Sequence, residues 1–265
     1  MIFPSYKTLL LEFPLPHVLL VTLNRPEVMN AIGTQMGLDL HDLWTRLTVD
    51  AGDFRCVILT GAGDRAFCAG GDLKERHGMT DAAWRSQHEI FERAYFTLVE
   101  LPIPVLAAVN GAAYGGGLET ALACDFIYAA RGARMALTET RIGIMPGGGG
   151  TQTLARAVGE RRAKELIFRA KVFGCDEALA WGLINQICEP ASLMAEALTC
   201  AGEIAGNGPL SVRQAKKAIH FGLQGDLNTG SRFEIEAYNR LVSSEDRHEG
   251  VRAFNEKRAP QFRGY

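Results

Sequence analysis

Hydrophobic positions along the chain follow two rhythms. Short, mainly apolar stretches at 7–13, 17–24, 55–60, 105–109, 125–129 and 184–188 predict strands. Between them, apolar residues recur every three or four positions. Met36, Leu40, Leu43, Trp44 and Leu47 set a helix over 34–50. A longer helical pattern over 81–101 is stopped by Pro102 and Pro104. Further helices are predicted over 116–124, over 155–168 with a break near Gly159, and over 176–181. After Pro190 the character changes: 191–206, 209–221, 231–242 and 245–257 all read as helices, and no strand signal appears. Strands that alternate with helices predict an α/β fold with largely parallel pairing. The expected organisation is an α/β core over 1–190 and an all-helical C-terminal region over 191–265.

Composition narrows the function classes. With 265 residues, 47% hydrophobic and 22% charged, the chain can build a large core without staples. Lys and Arg number 28 against 30 Asp and Glu, a net charge of −2 that argues against a nucleic-acid partner. None of the six cysteines forms a CxxC pair, so buried reduced thiols and a cytoplasmic location are expected. Residues 1–16 do not read as a signal peptide, because Glu12, Pro14 and Pro16 break the apolar run. The most apolar window, 104–130, carries Asn110, Glu119 and Asp125, so it predicts buried core and no membrane partner.

Glycine, at 29 residues, carries the chemistry. Gly61-Ala62-Gly63-Asp64-Arg65-Ala66 follows a strand and fits a loose dinucleotide fingerprint. Gly70 and Gly71 follow too soon for a helix to open there, so the fingerprint lacks its context. A second cluster, Gly115-Gly116-Gly117, sits between a strand and a helix. Backbone N–H groups at a helix start have no intrahelical partner, and they suit a developing negative charge. Glu119 lies just inside that helix; Glu139 precedes another glycine run, Gly147 to Gly150. Two carboxylates beside two glycine-rich turns form a candidate acid/base pair.

Four segments in register resemble the crotonase (enoyl-CoA hydratase/isomerase) family. They are Phe67-Cys68-Ala69-Gly70-Gly71-Asp72-Leu73-Lys74, Pro104 to Gly111, Gly115-Gly116-Gly117-Leu118-Glu119 and Pro146-Gly147-Gly148-Gly149-Gly150-Thr151-Gln152. The resemblance implies a spiral of ββα repeats whose helical C-terminal region assembles homotrimers or dimers of trimers. It also implies an acyl-CoA thioester as substrate and no separate cofactor, coenzyme A being part of the substrate. Matching motif positions would make Gly71 and Gly116 the oxyanion-hole donors and Glu119 and Glu139 the catalytic carboxyls. Ala69, Gly71, Asp72, Leu73, Lys74 and Gly147 would bind the CoA moiety. Phe254 and Lys257 would hold its nucleotide end, from a neighbouring subunit.

Both carboxyls are present, so the resemblance implies hydration of a trans-2-enoyl-CoA to the 3-hydroxyacyl-CoA. The alternatives on the same fold are a 3-methylglutaconyl-CoA hydratase, which Leu73-Lys74-Glu75-Arg76 also resembles, and an enoyl-CoA isomerase using one glutamate.

Overall fold

The computed structural model describes residues 3–265; the first two residues of the stretch read for a signal peptide lie outside them. In chain order the elements are β1 (Leu9–Leu15), β2 (Val18–Leu23), α1 (Thr34–Val49), β3 (Cys56–Gly61), β4 (Ala66–Cys68), α2 (Leu73–Arg76) and α3 (Asp81–Val99). Then come β5 (Val105–Val109), β6 (Ala112–Tyr114), α4 (Gly116–Ala123), β7 (Phe126–Ala130), β8 (Arg134–Ala136), α5 (Gly150–Val158) and α6 (Glu160–Phe168). The rest is β9 (Phe173–Gly174), α7 (Cys175–Ala180), β10 (Gln186–Cys188), α8 (Leu193–Gly206), α9 (Pro209–Gly222), α10 (Leu227–Asn239) and α11 (Glu245–Glu256).

The predicted strands form one sheet in the order β1-β2-β3-β5-β7-β10. Only the β1–β2 pair is antiparallel. β2, β3 and β5 are buried at every residue, which is why they read as unbroken apolar runs. On one face, Leu19, Val21, Val57 and Leu59 pack with Leu43, Trp44 and Leu47 of α1. On the other, Val18, Leu20, Ile58 and Leu106 meet Leu193, Ala197, Ala201 and Ala205 of α8. Helix α8 thus covers the sheet, although it follows Pro190.

A second sheet, β4-β6-β8-β9, has no counterpart in the sequence reading. Its strands are two or three residues long, too short to show a period. With it the architecture becomes a spiral. Three times the chain lays a strand in the large sheet, then one in the small sheet, then a helix: β3–β4–α3, β5–β6–α4 and β7–β8–α5.

Two helix limits also differ from the reading. Helix α5 begins at Gly150, not near 155, because Gly149 in the left-handed region (φ 85°) turns the chain into it. Gly159 (φ 83°) separates α5 from α6. Helix α10 begins at Leu227 because the Asp226 carboxylate accepts from the Asn228 and Thr229 N–H groups. Among the described residues no helix is long and apolar enough to cross a membrane.

Candidate active site

Helix α4 supplies the first carboxyl. Gly115, in a backbone conformation open to glycine (φ 52°), turns the chain out of β6, and Glu119 follows in the first turn. The helix lies directly on β4: a Cβ on Gly117 would stand 2.1 Å from the Cys68 carbonyl oxygen, so only glycine allows the approach. Glu119 is 5% exposed, and its Oε1 accepts from the Gly148 and Gly150 N–H groups, each at 2.8 Å. Burial raises its pKa above the ordinary carboxyl value, and the two N–H bonds oppose the rise.

Glu139 opens a 3-10 turn, Glu139–Ile142, after β8. Both of its carboxyl oxygens are buried, and neither has a hydrogen-bond partner among the described residues. Burial pushes this carboxyl up to about 7, and the Glu119 charge adds a smaller push. The Glu139 and Thr138 backbone N–H groups oppose the rise, though neither makes a hydrogen bond of ordinary geometry.

Two backbone donors stand beside these carboxyls. Gly71 pairs with Ile32 through an isolated bridge, in which Ile32 donates to the Gly70 carbonyl and Asp72 to the Ile32 carbonyl. That leaves the Gly71 N–H without an acceptor among the described residues. Gly116 is the first residue of α4, and its N–H also finds no acceptor among the described residues. The two segments are close: a Cβ on Gly116 would lie 3.8 Å from the Gly71 nitrogen, and one on Gly70 would lie 3.1 Å from the Gly116 nitrogen.

These groups line one cavity of about 600 Å³. Of the residues singled out from the sequence, it brings together Ala69, Gly71, Leu73, Gly116, Glu119, Glu139 and Gly147. It does not include Asp72, Lys74, Phe254 or Lys257. Asp72 is buried; its carboxylate caps α2 by accepting from Lys74 and Glu75 N–H groups and pairs with Arg25 at 3.0 Å. Lys74 is exposed beside it. Phe254 is 83% exposed on α11, and Lys257 follows that helix in the left-handed region.

The sequence alone did not place the wall that α3 supplies. Trp84, His88, Phe91 and Tyr95 recur along α3 and face the cavity. Their three- and four-residue spacing was the available signal. Arg76, at the end of α2, also lines the cavity. Among the described residues no group of three or more His, Cys, Asp or Glu side chains could hold a metal ion.

Residues 16–265 match the family model described as enoyl-CoA hydratase/isomerase. The chain is 41% identical over 241 residues to the short-chain-enoyl-CoA hydratase of Clostridium acetobutylicum, covering 91% of this chain and 92% of that protein. It is 44% identical over 214 residues to the mitochondrial methylglutaconyl-CoA hydratase of Mus musculus, covering 79% of this chain and 68% of that one. The structure matches a crystal structure of enoyl-CoA hydratase from Bacillus anthracis with a TM-score of 0.96 at 42% identity, over 98% of this chain and 100% of that one.

Proposed function

The chain belongs to the enoyl-CoA hydratase/isomerase (crotonase) family, a family of enzymes, and from that premise we propose that it hydrates a trans-2-enoyl-CoA thioester to the 3-hydroxyacyl-CoA. One observation carries this reading. Two buried carboxyls, one fixed by two N–H groups and one without a partner, face the cavity in which two backbone donors stand free.

The Gly71 and Gly116 N–H groups hold the thioester oxygen and draw charge out of the double bond, so the β-carbon becomes electrophilic. Glu119 has one oxygen committed to Gly148 and Gly150. Its other oxygen orients the water and takes its proton as the water oxygen bonds to the β-carbon. Glu139 gives its proton to the α-carbon, and the enolate returns to the thioester. Each carboxyl has then exchanged roles in protonation, and solvent exchange resets the pair. The reaction draws on no metal or redox cofactor, and coenzyme A enters and leaves as part of the substrate. Isomerisation with one carboxyl would leave the tightly held Glu119 without a task.

The CoA moiety is assigned to the turn from Ala69 to Lys74, with Lys74 near phosphate, and to Gly147, which lines the same cavity. Asp72 serves by fixing that turn through its cap. Phe254 and Lys257 face the nucleotide end of a neighbouring copy. The purified chain, given crotonyl-CoA or 3-methylglutaconyl-CoA, is expected to remove the enoyl-thioester absorbance. No loss with either substrate would refute hydration.

Assembly into a homotrimer or dimer of trimers belongs to the same reading. In α9 and α10 only Pro209 and Ala237 are buried, while Ile219, Phe221, Ile235 and Tyr238 are exposed. So much open apolar surface calls for a covering copy. Sedimentation is expected to show a trimer or larger species, and a monomer at micromolar concentration would contradict it.

A further inference from the structure

Among the residues lining the cavity, Arg76 is the only arginine or lysine. Its guanidinium lies over the Trp84 ring, 4.2 Å from the centroid, and 5.4 Å from that of Phe91. Its Nε donates to Gln87 Oε1 at 2.7 Å. Gln87 is itself buried and donates to Thr34 Oγ1 at 2.9 Å. The neighbouring carboxylate, Glu75, is occupied by the Thr34 N–H and hydroxyl. Among the described residues, neither Nη of Arg76 has an acceptor, and no carboxylate forms an ion pair with it.

A half-buried cation with no ion-paired carboxylate, only the nearby charge of Glu75, is poorly compensated, and here packing and Gln87 hold it in one orientation. Its two free Nη groups form the planar fork that matches a carboxylate. The fork also lies at the reacting end of the cavity. Nη1 is 3.4 Å from the position a Cβ on Gly71 would take, whereas Lys74 sits exposed outside the cavity.

We propose that Arg76 receives a carboxylate carried by the acyl group, so that the preferred substrates are enoyl-CoA thioesters of dicarboxylic acids. This rests on the hydratase reading above. A phosphate of the CoA moiety has related anionic chemistry, but every substrate would carry it, and that difference separates the two sources.

The experiment compares kcat/KM for glutaconyl-CoA, which carries a free carboxylate, with that for crotonyl-CoA, which does not. The parent enzyme is expected to favour glutaconyl-CoA. Arg76→Leu is expected to lower the glutaconyl-to-crotonyl ratio by about 10–10²-fold, since a charge-assisted fork is lost. Arg76→Lys, which keeps the charge without the fork, should recover part of it. A parent that prefers crotonyl-CoA overturns the proposal, as does an unchanged ratio in Arg76→Leu. Equal losses with both substrates assign Arg76 to the CoA phosphates and also overturn it. If the parent hydrates neither of these nor 3-methylglutaconyl-CoA, the hydratase reading fails, and the carboxylate proposal is judged by calorimetry with saturated thioesters. Glutaryl-CoA should then bind tighter than butyryl-CoA, with the difference lost in Arg76→Leu; equal affinities overturn it. Circular dichroism confirms that each variant is folded, and Arg76→Gln replaces Arg76→Leu if the latter is not.

Discussion

Replacing Glu139 with glutamine is expected to lower turnover of an enoyl-CoA by about 10²–10⁴-fold while acyl-CoA binding persists. Glutamine keeps the shape of the side chain but has no proton to give to the α-carbon. An ordinary glutamic acid is ionised well below neutrality, but burial holds the proton on Glu139 up to about 7. As pH rises through that value the acid is lost, so kcat/KM for hydration should fall on the alkaline side of about 7. Glu119→Gln should cause a loss of similar order by removing the base. Under the proposed function the two carboxyls should act as a unit, so the double variant should be little worse than the poorer single one. Stopped-flow absorbance on purified variants measures all three. If Glu119→Gln is harmless and Glu139→Gln inactive, the chain works with one carboxyl, as an isomerase would. Full hydratase activity in both variants would remove the basis of the proposed function.

Gly116→Pro is the second large effect. The proposed oxyanion donors are backbone groups, so deleting a side chain cannot reach them. Proline removes the N–H itself, and the first position of a helix tolerates it because no intrahelical bond is lost there. Loss of one such donor is expected to lower kcat by about 10²–10³-fold. A variant with native circular dichroism and near-parental turnover would show that the thioester oxygen is held elsewhere.

The large sheet and its helices were legible because burial on both faces leaves β2, β3 and β5 as apolar runs, and α1 shows one apolar stripe. The small sheet was not legible, since strands such as Ala66–Cys68 and Ala112–Tyr114 carry too few residues for alternation. At the site, the glycine clusters announced close backbone approaches. They did not announce which N–H groups would hold Glu119, because that contact joins residues 119 and 148–150 only after α5 packs on α4. Arg76 entered the sequence reading only as part of Leu73-Lys74-Glu75-Arg76, with no sign that it would line the cavity. Its half-burial comes from α3, whose Trp84 and Phe91 close over it. Asp72 shows the opposite case: a residue marked for ligand binding by its motif is held to the fold by capping α2 and pairing with Arg25.

Gly116 and Glu119 share the first turn of α4, three residues apart, or about 4.5 Å along the helix axis. The proposed donor and the proposed base therefore ride on one helix, and no tilt of that helix can alter their spacing. Glu139 rides on a different support. Its turn is moored to the far end of α6 by Thr140 Oγ1 donating to the Ile167 carbonyl and Arg141 Nη2 donating to the Ala170 carbonyl, both at 2.9 Å. Loosening at the end of α6 would displace Glu139 and leave the spacing of Gly116 and Glu119 unchanged.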